Sequence, residues 1–317
     1  MNWKQPKVYA VKHKDEATRV ASRSGGIFTA LSDFAFAKNG VVYGCVLDEN
    51  FNAIHIRADN YEDRNRMRGS KYIQSKLGET YKSVRSDLVD GCFVLFSGTS
   101  CQVAGLRKYL GKEYTNLVCV DIVCHGVPSP KVWKEYLCWQ EKKNKSKVIK
   151  VDFRNKRDYG WRAHKENLVF ENGKIVNSTV FTTLFYSHSI LRPCCYECPY
   201  KKVTHPGDIT IADYWGIEKA APEFDDNKGV SLVLINNEKG DKIFNTVKES
   251  IKWKETRIED SMQMSFKAPY PRPINRDVLW NNILNEDFEY IAKKYGGLGF
   301  KYKIKQWIRS IKRRLIR

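Results

Sequence analysis

Hydrophobic positions in the first half of the chain switch between two periods. Ile27, Ala30, Leu31, Phe34 and Ala35 recur at helical spacing behind Ser24-Gly25-Gly26, which predicts a helix with one apolar face. The apolar runs at 41–47 and 53–56, split by Asp48-Glu49-Asn50, predict a strand pair. A polar loop over 68–72 and a helix over 79–88 come next. Residues 92–96 then read as a strand, 97–100 as a tight loop, 101–110 as a helix and 117–123 as a second apolar strand. Short all-apolar strands on either side of a helix predict a βαβ unit and a partly parallel sheet. Ser129-Pro130 marks a further helix start, with the serine as cap and the proline in the first turn.

The second half has a different texture. Five lysines within 142–150 predict a solvated helix end, and 151–181 reads as β-like with a hairpin turn at Glu171-Asn172-Gly173. Residues 192–202 are irregular and cysteine-rich. Strands are expected at 208–213 and 230–235, and a helix over 239–251 with Ile243, Phe244, Val247 and Ile251 on one face. The expected fold class is α/β: a mixed, partly parallel sheet with flanking helices and a smaller α+β part carrying the cysteine loop. The expected organisation is a first lobe over 1–141, a second lobe with the cysteine loop over 142–260, and a helical segment over 261–317.

Composition narrows the class. A chain of 317 residues with 42% hydrophobic residues is long enough for a substantial core and is neither disordered nor of low complexity. It carries 55 basic and 36 acidic residues, a net charge of +19, which favours anionic partners. Eight of the basic residues fall within 301–317, where Ile304, Trp307, Ile308, Ile311 and Leu315 share a helical face. That pattern is a basic amphipathic helix, suited equally to a peripheral membrane contact and to docking on the body of the protein. No recognised nucleic-acid-binding motif accompanies the charge, so nucleic acid is not an expected partner. With no apolar signal core and no run of 18 apolar residues, the expected location is the cytoplasm.

The nine cysteines are the chemical signal. In a reducing compartment, clustered cysteines act more often as metal ligands or redox groups than as disulfides. Cys195-x-x-Cys198-Pro199 places two thiols where one iron or zinc can bridge them, and a following proline recurs in iron–sulfur ligand runs. No second CxxC or HxxxH is present to complete a zinc site. Cys101 opens the helix after one parallel strand and Cys124 closes the next, so both fall at the carboxyl edge, where ligands of open α/β sheets bind. Together with Cys195 and Cys198 they make four thiols, the number a 4Fe–4S cluster uses. The alternative for Cys101 and Cys124 is ordinary burial. Cys45, Cys92, Cys119 and Cys138 are expected in the core, and Cys194 stands beside the pair without an assigned part. Ser22-Arg23-Ser24-Gly25-Gly26 has the hydroxyls, arginine and free amides that suit a phosphate, and equally suits a capped helix. The donor-rich loop 68–75 and the strand end Asp213-Tyr214-Trp215 carry the same two readings.

Six blocks resemble one known family in order and spacing: SGGIFTAL (24–31), RGSKYIQS (68–75), FSGTSCQVAGLR (96–107), VDIVCHGVPSP (120–130), RPCCYECPYK (192–201) and GDITIADYWG (207–216). They are similar to the beta subunits of coenzyme F420-reducing hydrogenases and dehydrogenases. The resemblance implies an FAD and a 4Fe–4S cluster. The flavin would exchange hydride with a deazaflavin or similar small-molecule carrier, and the cluster would pass single electrons. It assigns Cys101, Cys124, Cys195 and Cys198 to the cluster, and Ser24, Gly25, Gly26, Ser70, Lys71, Tyr72 and Gln74 to the neighbourhood of the flavin. Lys71, if beside the ring, would stabilise negative charge on the reduced flavin. The amino-terminal ferredoxin segment of many relatives, with its repeated CxxC runs, is not found in these residues. A separate ferredoxin or other electron-transfer protein is therefore the expected partner. Bacterial relatives with roles in polysaccharide synthesis leave the natural carrier open. A basic membrane- or nucleic-acid-associated binding protein with structural cysteines is the competing reading, and a family member that has lost the redox reaction is a third.

Overall fold

The computed structural model describes residues 5–300; the basic helix expected over 301–317 lies outside the described residues. Eleven strands are formed among them: β1 (Lys7–His13), β2 (Val41–Leu47), β3 (Ala53–Ala58), β4 (Val94–Thr99), β5 (Leu117–Ile122), β6 (Val148–Asp152), β7 (Glu166–Phe170), β8 (Ile175–Ser178), β9 (Ile209–Asp213), β10 (Ser231–Ile235) and β11 (Ile251–Thr256). Eight of them make one sheet in the order β11-β1-β10-β9-β5-β4-β2-β3, and β6-β7-β8 make a separate antiparallel sheet. The strands β2, β4, β5 and β9 run parallel, and antiparallel pairs close both flanks. This is the mixed α/β fold expected from the pattern. The large sheet draws strands from both sides of residue 141, so it joins the two expected lobes through a common layer.

The local chemistry accounts for the elements. Ile27–Ala37 and Glu238–Val247 lay Leu31, Ala35, Ile243 and Phe244 on one sheet face, while Val84, Leu88, Val103 and Leu106 from Thr80–Val89 and Ser100–Leu110 cover the other. A third apolar cluster joins Pro130–Asn144 to the small sheet and to the helices Val180–Tyr186, Arg276–Asn285 and Phe288–Lys294. Burying a large apolar side chain contributes about 1.5–3 kcal/mol. Among the described residues no helix is long and apolar enough to cross a membrane.

The pattern misplaces three boundaries. Ser97, Gly98 and Thr99, expected in a loop, continue β4 because they pair in parallel with Val120, Asp121 and Ile122. The helix begins only at Ser100, where Thr99 and Gln102 form a capping box. Ile251, expected on a helical face, opens β11 opposite His13. In the β-like stretch 151–181, Val180 and Phe181 instead start a helix.

Candidate functional site

The four parallel strands end on one side of the sheet. At that edge Thr99 leads to Cys101, Ile122 leads to Cys124, and β9 ends at Asp213. A cavity of about 1310 Å³ lies there, larger than the roughly 300–1,000 Å³ of common small-ligand sites. Ser24, Gly26, Ser70, Lys71, Tyr72, Gln74, Cys101, Cys124 and Cys195 all line it, so residues up to 171 positions apart in sequence share one chamber.

Gly25 does not line the cavity. Its amide donates to Ser231 Oγ (3.0 Å), its carbonyl accepts from the His13 amide (2.7 Å), and an added Cβ would sit 2.0 Å from the Val11 carbonyl oxygen. Its glycine is needed for close packing against β1 and β10 rather than for a ligand. Gly26 caps the helix Ile27–Ala37 at φ +93°, a left-handed conformation that glycine adopts without strain. The buried Lys156 clamps the same loop from below, donating to the carbonyls of Arg19 (2.6 Å), Ser24 (3.2 Å) and Lys228 (2.9 Å).

The opposite wall is the loop 68–75. Lys71 Nζ donates to the carbonyls of Arg66 (2.9 Å), Arg68 (2.9 Å) and Gly69 (3.3 Å), so its ammonium holds its own loop together. Burial lowers its pKa to about 8, partly opposed by the Cys45 thiol. Tyr72 stacks on Phe185 at 4.9 Å, and the Gln74 amide donates to the Pro128 carbonyl (3.3 Å). His55 ties this loop to the sheet through Ser75 Oγ (2.7 Å) and the Ser97 carbonyl (3.1 Å). The carbonyl can only accept, so Nε2 carries a proton. Burial lowers the His55 pKa to about 4, with the Ser97 bond opposing it.

The unfolded chain therefore binds a proton between about pH 6.5 and 4 that the folded chain does not, and stability falls as the pH drops through that window. At pH 5 the loss from His55 is about 2 kcal/mol. Urea midpoints of the wild type and His55→Gln at pH 7 and pH 5 check this: the difference between the two proteins shrinks at the lower pH.

A third group converges on Asp213. Its Oδ2 accepts from Arg154 Nη1 (2.9 Å), and its Oδ1 accepts from Trp161 Nε1 (2.9 Å) and from Ser24 Oγ. Arg23 Nε adds an ion pair at 3.5 Å. Burial alone would raise the Asp213 carboxyl, but Arg23, Arg154 and these hydrogen bonds hold it below the usual range. Trp161 and Trp215 stack at 4.9 Å with planes 7° apart, and the Arg154 guanidinium lies 5.3 Å over Trp215.

The cysteines occupy the remaining end. Cys101 and Cys194 are exposed, while Cys124, Cys195 and Cys198 are half-buried. Burial pushes the Cys124 thiol up to about 12, Lys201 pulls it down, and Cys101 and Cys195 add to the rise. Burial likewise takes Cys195 up to about 11, with Cys194, Cys198 and Cys101 contributing. The sulfurs thus sense one another across three chain segments. Lys201 is buried beside them: it donates to the Cys124 carbonyl and to Ser265 Oγ (3.1 Å), and Cys124, Cys198 and Cys195 all favour its charged form against burial. Among the described residues, no three His, Cys, Asp or Glu side chains form a ready-made metal-binding set. Cys198 does not line the cavity, whereas Cys194 does. Cys45, expected in the core, also lines the cavity, and Cys138 is exposed.

Several site residues lay outside the expected set. Arg154, His164 and Trp161 come from a segment whose β-like texture concealed the short helix Lys156–Tyr159 that turns the chain into the site. His125, next to Cys124, packs among Phe185, Tyr186, His188 and Tyr270, and its buried Nε2 has no hydrogen-bond partner among the described residues. The only sequence sign of these was a high density of aromatic and basic residues.

A large cavity at the carboxyl edge of a mixed α/β sheet, with thiols at one end and buried ion pairs at the other, places the protein among α/β proteins with a site at the sheet's carboxyl edge. Comparison with known proteins specifies it. Residues 93–261, more than half of the chain, match the family described as the carboxy-terminal part of the coenzyme F420 hydrogenase/dehydrogenase beta subunit. The chain belongs to that family and is an oxidoreductase of the hydrogenase/dehydrogenase-subunit type. Its fold resembles a chain of the F420-reducing [NiFe] hydrogenase complex from Methanosarcina barkeri, solved as a xenon derivative. The TM-score is 0.55 at 18% identity, covering 95% of this chain and 96% of that one. No curated protein matches the sequence.

Proposed function

We propose that the protein is a flavin- and iron–sulfur-dependent oxidoreductase passing electrons between a small hydride carrier and a one-electron partner such as ferredoxin. The observation that carries this reading is the meeting of Cys101, Cys124 and Cys195 with the loops 22–26 and 68–75 in one cavity. Cys101, Cys124, Cys195 and Cys198 would hold a 4Fe–4S cluster, and four soft thiolate donors suit iron–sulfur ligation. Lys201, a buried cation beside three of the four, suits the negative charge that such a thiolate-bound group carries. Ser24, Gly26, Ser70, Lys71, Tyr72 and Gln74 would surround FAD, with Gly25 serving the loop's packing. When bound, the flavin supplies the exchange between hydride and single electrons, and the cluster supplies a one-electron relay.

The chain's own residues do the rest. Lys156 and the Asp213 network fix the loop 22–26, Lys71 and His55 fix the loop 68–75, and Phe185, Tyr186 and Trp215 give the cavity an aromatic wall. The exposure of Cys101 and Cys194 leaves the thiol end open to a protein partner.

The test is anaerobic mixing of the purified protein with one carrier at a time, a reduced deazaflavin or a reduced nicotinamide, followed by absorbance. Flavin bleaching by one of them, and subsequent reduction of added ferredoxin, supports the reading. A flavin-containing protein that neither carrier reduces and that gives no electron to ferredoxin contradicts it.

A further inference from the structure

Three donor groups on the Asp213 side of the cavity are buried and have no acceptor among the described residues. Arg23 donates through Nη2 to the Trp161 carbonyl (2.7 Å), while its Nε and Nη1 make no hydrogen bond. The nearest carboxylate, Asp213, faces Nε only as an ion pair at 3.5 Å, and its oxygens already accept from Ser24, Trp161 and Arg154. His164 supplies the third donor. Its Nε2 lies 3.2 Å from Arg154 Nη2, and a guanidinium can only donate, so Nε2 accepts and the ring proton sits on Nδ1. That Nδ1–H is buried and unpartnered.

Folded proteins leave few buried donors unpaired, because each forfeits its bonds to water without replacement. Arg23 and His164 both line the cavity and flank the same Asp213–Arg154 pair. The charges do not cancel: Arg23 and Arg154 face the single carboxylate of Asp213, and His164 is neutral in the tautomer its bonding requires. Within this group one positive charge is left over, with the Lys156 ammonium close by on the Ser24 carbonyl, beside three N–H groups that make no hydrogen bond.

We propose that Arg23 and His164 form a receptor for one anionic oxygen-bearing group, a phosphate or a carboxylate, of a molecule held in the cavity. The inference builds on the reading of the cavity as a cofactor and substrate chamber. Two sources present that chemistry: the phosphates of the flavin itself, and the acidic group of a separate hydride carrier.

The full-length protein, Arg23→Gln and Arg23→Lys would be compared by flavin content, by calorimetric titration with inorganic pyrophosphate and with glutarate, and by thermal melting without added ligand. A guanidinium–anion contact accounts for about a tenfold difference in affinity or more. If the group belongs to the flavin, Arg23→Gln loses most of its flavin and Arg23→Lys keeps an intermediate share. If it belongs to a separate carrier, flavin content is unchanged and pyrophosphate or glutarate binds at least about tenfold more weakly to Arg23→Gln. In either case the unliganded variant melts no lower than the wild type: it loses the Trp161 hydrogen bond and the Asp213 ion pair, but it also sheds a surplus buried charge and two unpaired donors, and Arg154 still compensates the carboxylate. Flavin content and probe affinity both equal to wild type would overturn the proposal. So would a wild type that binds neither probe while the variant keeps its flavin, and so would a lowered melting temperature as the variant's only change. A protein with no flavin in any variant that still binds a probe through Arg23 would refute the flavin reading and leave the receptor standing.

Discussion

The Cys124→Ser and Cys195→Ser proteins, purified without oxygen, are each expected to contain almost no iron. The wild type is expected to hold about four atoms per chain, the number that four thiolate ligands imply. Cys124 and Cys195 are the most informative positions because each senses Cys101 and the other's segment, while one follows β5 and the other lies in the short 3-10 helix Pro193–Glu197. A serine hydroxyl is a much poorer ligand for iron than a thiolate, and a cluster missing one ligand becomes labile. Cys138→Ser, on an exposed face of the helix Pro130–Asn144, is the control and is expected to keep its iron. Cys194→Ser separates the pair 195/198 from its neighbour: full iron content leaves the set as assigned, and loss of iron brings Cys194 into it. Iron assays with circular dichroism to verify folding decide the matter, and unchanged iron in Cys124→Ser would contradict the ligand set.

Asp213→Asn is expected to cost about 3–5 kcal/mol of stability, the usual penalty when one member of a buried ion pair is removed. The carboxylate is only 14% exposed, and it compensates Arg154, which is 2% exposed, and Arg23 at 12%. Asparagine keeps the shape and still accepts from Trp161, so the loss reports the uncompensated guanidinium charge. Total stabilities of roughly 5–15 kcal/mol make this a large fraction of the whole. Adding Arg154→Met to Asp213→Asn should recover part of the loss, giving a coupling energy well away from zero in a double-mutant cycle. A change below about 1 kcal/mol in the urea-derived stability of Asp213→Asn would refute the electrostatic account of this wall.

The sheet core was legible because its parallel strands are short apolar runs around a helix with 3.6-residue periodicity. Its edges were not. β1 is a four-residue apolar run flanked by lysines, β11 opens by alternating apolar and charged residues, and nothing local in 7–13 announces that it pairs with 231–235 and 251–256. Long-range pairing of this kind leaves no trace in a local period. The same holds for the site. The pair Cys195 and Cys198 has a spacing that speaks for itself, and Cys101 and Cys124 could be placed by the βαβ geometry. Arg154 and His164 reach the cavity only because Asn155 and Gly160 bracket a four-residue helix in a segment of β-like composition. Gly25 shows the opposite case, where a glycine that looked ready for a phosphate answers to the Val11 carbonyl behind it.

The central claim is that one cavity serves a flavin and an iron–sulfur cluster. An anaerobic absorption spectrum of the purified protein, with flavin, iron, sulfide and zinc quantified on the same sample, tests it most directly. The account predicts flavin bands over a broad iron–sulfur shoulder, one flavin per chain and about four irons matched by sulfide. A colourless protein that holds zinc, or that stays empty after anaerobic reconstitution with iron, sulfide and FAD, would contradict it.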